Sequence, residues 1–100
     1  MKIAIASTGK EENSEISPIA GRAPYFLIYK EKKLLKVIKN PFSIGGGGAG
    51  TAVAKMLSDE KVESVVAGYY RENMKERLKE KNIKILEEQH ITVKEALEKI

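Results

Sequence analysis

The chain contains no cysteine and only one histidine, His90. Without cysteine there are no disulfides, no thiolate metal ligands and no cysteine nucleophile, which excludes zinc ribbons and cysteine-ligated iron-sulfur centres. His90 has no partner at metal-ligand spacing. A Ser-His-Asp hydrolase would have to use it, yet Glu87-Glu88-Gln89-His90 leads into a helix cap, so a partly exposed pre-helix histidine is the simpler reading. Long apolar runs are missing as well. Met1-Lys2-Ile3-Ala4-Ile5-Ala6 is too short for a signal peptide and nothing later approaches a membrane span, so a cytoplasmic protein with no membrane partner is expected. Finally, Lys2 to Ala6, the first strand-like stretch, carries no carboxylate, which speaks against a two-metal nuclease.

What is present fits one domain over residues 1–100. At 11.1 kDa the chain is long enough to bury one core, with folding removing roughly 65% of the unfolded surface from water. Eighteen basic and 14 acidic residues give a formal charge of +4, and a charged fraction of 32% also suits the ion-pair networks of thermophilic proteins. The charges are mixed, except for Lys30, Lys32, Lys33, Lys36 and Lys39. Lysines protect a hairpin edge from unwanted pairing as readily as they bind nucleic acid, and the former is expected here.

The most informative stretch is Asn40-Pro41-Phe42-Ser43-Ile44-Gly45-Gly46-Gly47-Gly48-Ala49-Gly50. Clustered glycines cost backbone entropy, so they point to positive φ or to a close approach of another group. A helix follows, since Ala49, Ala52, Val53, Met56 and Leu57 fall on one face. Amides at such a helix start form an anion site. Gly45-x-Gly47-x-x-Gly50 matches the dinucleotide fingerprint formally, but it follows a third strand, and position 70 is Tyr where an acid is required; no Gly-Lys-Ser/Thr closes a P-loop either. A flexible glycine linker or a tight loop-to-helix junction remains the alternative.

Along the chain, a strand at Lys2 to Ala6 precedes a polar, turn-rich connection from Ser7 to Pro24, too long for a plain linker and expected to be a functional loop. Tyr25 to Tyr29 and Leu34 to Ile38 make a hairpin across Glu31-Lys32-Lys33. Ser64 to Ala67 is a fourth strand. A second helix shows Tyr70, Met74 and Leu78 on one face, with Asn82 as its stop, and Ile83 to Leu86 is a fifth strand. The last helix has a Thr92/Glu95 capping box, an Ile91 to Ala96 staple, and Val93, Ala96, Leu97 and Ile100 on its apolar face. Right-handed crossovers then give an α/β fold: a five-stranded mixed sheet of order 3-2-1-4-5 with strand 2 antiparallel, resembling a ribonuclease-H-like sheet. Ser7 to Pro24, Asn40 to Gly50, Gly68 to Arg71 and Glu87 to His90 would crowd one rim, where open α/β sheets bind ligands.

On that rim Arg22, between Gly21 and Ala23, is placed to clamp a phosphate, a carboxylate or an anionic cluster together with the glycine-loop amides. The alternative is an anchor bonded to carbonyls or to Glu15. No acid-base pair or nucleophile constellation is visible, and no enzymatic activity is expected.

The ordered set Met1 to Ala6, Gly21-Arg22-Ala23-Pro24-Tyr25-Phe26, Gly48-Ala49-Gly50, Val65-Val66-Ala67-Gly68, Asn82-Ile83-Lys84 and Thr92-Val93-Lys94-Glu95-Ala96-Leu97 resembles the dinitrogenase iron-molybdenum cofactor biosynthesis family, the small NifX-type and NifB C-terminal-type domains. The resemblance spans nearly the whole chain. It implies the ribonuclease-H-like fold and non-enzymatic binding or carriage of iron-molybdenum cofactor or its iron-sulfur precursor, with metallocluster-assembly proteins as partners. The implied site comprises Ser17, Gly21 and Arg22 with Gly46, Gly47, Gly48 and Gly50, and no protein metal ligand. This chain reads Ile19-Ala20 and Gly46-Gly47-Gly48 where many members carry histidines, which are natural soft ligands. A diverged module binding another anion, a nucleotide or a partner protein is therefore the competing expectation.

Overall fold

The side chains of the first strand alternate between two hydrophobic cores, and that alternation explains the layering. The computed structural model describes residues 1–44 and 49–100. Strands β1 (Lys2–Ser7), β2 (Tyr25–Lys30), β3 (Lys33–Lys39), β4 (Ser64–Ala67) and β5 (Lys84–Glu87) form one sheet of order β3-β2-β1-β4-β5. β2 is antiparallel to both β1 and β3, whereas β4 is parallel to β1 and β5. Helices α1 (Ala49–Asp59), α2 (Glu72–Glu80) and α3 (Val93–Glu98) complete the fold. This is the expected topology.

Ala4 and Ala6 of β1 face one side with Phe26, Ile28, Val65 and Ala67, and there Val53, Ala54 and Leu57 of α1 and Met74 and Leu78 of α2 cover them. Ile3 and Ile5 face the other side with Leu27, Tyr29 and Val66, under Val93, Ala96 and Leu97 of α3. Period-two alternation with apolar residues on both faces marks a sheet covered on both sides. Tyr29, on the α3 side, is 1% exposed and its hydroxyl has no hydrogen-bond partner among the described residues.

The element ends follow local rules with a few departures from expectation. The hairpin turn is two residues, not three: Glu31 (φ 51°) and Lys32 (φ 65°) are both left-handed, as a primed turn requires, and Lys33 already pairs with Lys30. Asn82 (φ 60°) ends α2 as expected, with the Ile83 amide donating to the Leu78 carbonyl at 2.9 Å. Tyr70 precedes α2 instead of opening its stripe, because Arg71 takes the N-cap position. Its ring is nonetheless core, and its hydroxyl lies 2.9 Å from the Val65 carbonyl and 2.8 Å from that of Leu86. The capping box is present, Glu95 N to Thr92 Oγ1 at 3.2 Å and Thr92 N to Glu95 Oε1 at 2.9 Å, while Ile100 lies beyond α3 and is exposed. Among the described residues no helix is long and apolar enough to cross a membrane.

Candidate functional site

The strand registers place Ser7, Tyr25, Lys39, Ala67 and Glu87 at the same end of the sheet, and the connection from Ser7 to Pro24 folds over that end. It is held by backbone bonds. Ser17 N donates to Ala6 O at 2.8 Å, Gly68 N to Ser17 O at 3.0 Å and Ala20 N to Tyr69 O at 2.9 Å. Isolated bridges pair Ile16 with Ser7, Glu15 with Thr92 and Ile19 with Tyr69. Gly68 permits the closest of these approaches, for a Cβ there would sit 2.7 Å from the Pro18 carbonyl oxygen. The loop then closes into a single 3-10 turn, Ala20–Arg22.

That turn faces a cavity of about 260 Å3 lined by Ile19, Gly21, Arg22, Ala49, Gly50, Thr51, Arg71, Asn73 and Met74. The wall is thus built from the 3-10 turn, the first three residues of α1, and the N-cap and first turn of α2. Both helices begin at the cavity, so their positive dipole ends and first-turn amides converge on it. The helix starts differ in a telling way. At α3 the capping box and the carbonyls of Ser14 and Glu12, which accept from Val93 N and Lys94 N at 2.9 Å each, satisfy the orphan amides. At α2 the Arg71 side chain makes no capping bond.

Two guanidinium groups line this space. Arg22 is half-buried and its Nη1 donates to the Phe42 carbonyl at 3.4 Å, whereas Arg71 is exposed. Asn40 holds the 3-10 turn that carries Arg22. It is 2% exposed, its Nδ2 donates to the carbonyls of Ala23 at 2.9 Å and Gly21 at 3.3 Å, and its Oδ1 accepts from Phe42 N at 2.9 Å.

Of the residues expected at the site, Gly21, Arg22 and Gly50 line the cavity together. Ser17 does not line it. It is buried, with its hydroxyl donating to the Ile19 carbonyl at 3.2 Å. Gly46, Gly47 and Gly48 lie outside the described residues. Gly50 has a packing role as well, because a Cβ there would stand 3.0 Å from Met74 Cβ. Arg71, Thr51 and Asn73 were missed as lining residues, although the rim range Gly68 to Arg71 ends on one of them; polar residues at the start of a helix on the ligand-binding rim are the signal that points to them. Asn40 was missed as the brace of the turn, although Asn-Pro is a turn-initiating dipeptide.

Among the described residues no group of three or more His, Cys, Asp or Glu side chains is placed to hold a metal ion, and His90 is exposed at φ 62°. The cavity's polar equipment is cationic and hydrogen-bond donating: it suits an anion and offers no ligand set for a bare cation.

Fold and cavity define a small mixed-sheet α/β domain with a crevice at the strand ends lined by two arginines and two helix starts. The chain belongs to the dinitrogenase iron-molybdenum cofactor family, whose model matches residues 1–100. Among solved structures, a Thermotoga protein described provisionally as NifB is 31% identical, with 97% of this chain and 84% of that chain covered at a TM-score of 0.83. The apo form of the orange protein from Desulfovibrio gigas is 22% identical and superposes with a TM-score of 0.91, covering 98% of this chain and 84% of that one. A Methanocaldococcus jannaschii protein described provisionally as a dinitrogenase is 19% identical, with a TM-score of 0.62 and coverage of 97% and 84%. The search of curated proteins found no match.

Proposed function

We propose that this protein carries an anionic metallocluster, iron-molybdenum cofactor or an iron-sulfur precursor, during cofactor assembly, and that it does so without catalysis. Family membership supplies the setting. The observation that carries the reading is the meeting of Arg22, Arg71 and the N-termini of α1 and α2 around one cavity. A cluster held there would be gripped by its outer sulfur and oxygen atoms through charge-assisted hydrogen bonds, with no bond from protein to metal. Such a grip leaves the metal sites of the cargo unblocked, which suits transfer to an assembly partner. Gly21 and Gly50 keep the walls free of side chains, and Ala20, fully buried, fixes the turn from below.

The test is anaerobic. Purified protein is incubated with iron-molybdenum cofactor or with an iron-sulfur cluster, passed through a sizing column and assayed for metal per chain, beside Arg22→Ala and Arg71→Ala. Near-stoichiometric metal is expected for the parent. Hydrogen bonds to charged groups contribute about 1.5–3 kcal/mol, so each variant should bind roughly tenfold or more weakly. Absence of retained metal, or equal retention by both variants, would refute the carrier role.

A second reading, a smaller anion such as a phosphate metabolite or nucleotide, is favoured by one observation: among the described residues no soft metal-ligating set exists. Displacement of bound cluster by phosphate or nucleotide at comparable concentration would favour it.

A further inference from the structure

Strand β3 ends the sheet on one side, so along it alternate N–H and C=O groups have no partner strand. It is also exposed along almost its entire length. Leu34, Leu35 and Val37 are 47%, 54% and 37% exposed. The register sets Leu34 beside Tyr29 and Val37 beside Leu27, on the α3 side of the sheet, so the apolar surface of that face runs out past its cover onto the edge strand. Lysines surround it: Lys30, Lys32, Lys33, Lys36 and Lys39, with Lys10 Nζ 5.7 Å above the Tyr25 ring. Lys36 pairs with Glu60 at 2.8 Å. Lys30, Lys32, Lys33 and Lys39 have no ion-pair partner among the described residues, and Glu31, the acid at the hairpin tip, is held by the amino terminus at 2.6 Å.

We propose that β3 is a docking edge that accepts an extended acidic segment of a partner protein as an added strand. The main chain of such a segment completes the open ladder, alternate apolar side chains cover Leu34 and Val37, the intervening carboxylates meet Lys33 and Lys36 on the opposite face, and an acid at the segment's end meets Lys39. The lysines act as a filter. A second copy of this chain is disfavoured, because pairing two β3 strands edge to edge brings their lysine-rich edges together, and like charges opposed across a strand pair destabilise it. Nucleic acid fits less well, since the patch interleaves lysine with leucine and valine where single strands are bound by aromatic stacking and arginine. The strand also leads somewhere. Its last residue, Lys39, precedes Asn40, the brace of the turn carrying Arg22, so a segment laid along β3 ends beside the cavity rim.

The test uses the intact chain and a fluorescently labelled, acetylated Glu-Val-Glu-Ile-Glu-Val-Glu amide, read by anisotropy and by NMR shifts of the β3 amides. Three comparison probes accompany it: the same peptide N-methylated at alternate residues, its Lys-for-Glu counterpart, and a thymidine oligonucleotide. Saturable binding of the acidic peptide with shifts over residues 34–39 is expected, weakened at least tenfold in a Lys33→Glu/Lys39→Glu variant and severalfold in Leu34→Thr/Val37→Thr. These positions are exposed and Thr favours strands, so folding is retained and is checked by the unchanged remainder of the spectrum. The proposal is overturned by equal binding of the N-methylated or lysine peptide, by indifference to the charge reversal, or by occupation of the same amides by the oligonucleotide or by self-association in preference to the peptide. None of these outcomes depends on whether the cavity binds a cluster.

Discussion

At the scale of single residues, the site rests on a side chain that never touches it. Asn40 joins the end of β3 to the turn bearing Arg22 by hydrogen bonds to the carbonyls of Gly21 and Ala23, and it is almost completely buried. Asn40→Ala removes the donors and leaves those carbonyls desolvated, a loss of about 1–3 kcal/mol. The expected outcome is a lower Tm together with weaker ligand retention, whereas Arg22→Ala, whose side chain is only half-buried, lowers retention with little change in Tm. Thermal unfolding and metal retention measured on both variants distinguish brace from clamp. That Arg22 lines the crevice on the rim was legible from its place in the loop, but its dependence on Asn40 was not. A contact between residues 17 and 19 positions apart leaves no periodic trace. Ser17 illustrates the reverse difficulty. The resemblance places Ser17 in the site, and in the structure it is buried beside the cavity with its hydroxyl donating to the Ile19 carbonyl.

At the scale of elements, helix ends were readable where a specialised residue occupies them and obscure where an ordinary one does. Asn82 in the left-handed conformation after α2, and the Thr92/Glu95 box before α3, follow known capping chemistry. α1 ends through Lys61, also left-handed at φ 60°, with Lys61 N donating to Ser58 O at 2.9 Å. A lysine carries no stop signal, so the end of α1 could not be read from it. It also carries a Cβ penalty that glycine lacks. Lys61→Gly should therefore raise stability by roughly 0.5–1 kcal/mol, seen as a higher midpoint in urea with unchanged slope; a decrease would show that the Lys61 side chain contributes more than its backbone costs. The same reasoning explains the misjudged hairpin length, because Glu31 and Lys32 form a primed turn without the glycine or asparagine that usually announces one.

At the scale of the whole molecule, both cores depend on tyrosines that are reluctant to ionise. Burial raises the pKa of Tyr70 far above its ordinary value, reinforced by the charge of Glu87, and burial followed by the charge of Glu12 raises that of Tyr29. Because the folded chain keeps these protons while the unfolded chain releases them near pH 10, stability contributed by the neutral hydroxyls is full below that pH and falls as pH rises beyond it. Unfolding midpoints should drop steeply above about pH 10, and a Tyr70→Phe variant, though less stable at neutral pH, should show a shallower alkaline loss. Parallel loss in both proteins would place the alkaline sensitivity elsewhere. Sheet order was legible throughout, since the runs at Ile3 to Ala6 and Val65 to Ala67 and the connection rules leave few alternatives. The convergence of two helix starts was less so, because the parts of the cavity come from residues 19–22, 49–51 and 71–74.

The contact between Gly50 and Met74 has a bearing on descent. With a Cβ there 3.0 Å from Met74 Cβ, any side chain at position 50 would require Met74 or the two helices to give by a few tenths of an ångström whatever the crevice holds. Across relatives, glycine at this position should therefore persist through changes of cargo, while the residues corresponding to Arg22 and Arg71 should drift with it, so that the arginines record what each lineage binds and the glycine records only that the two helices still meet.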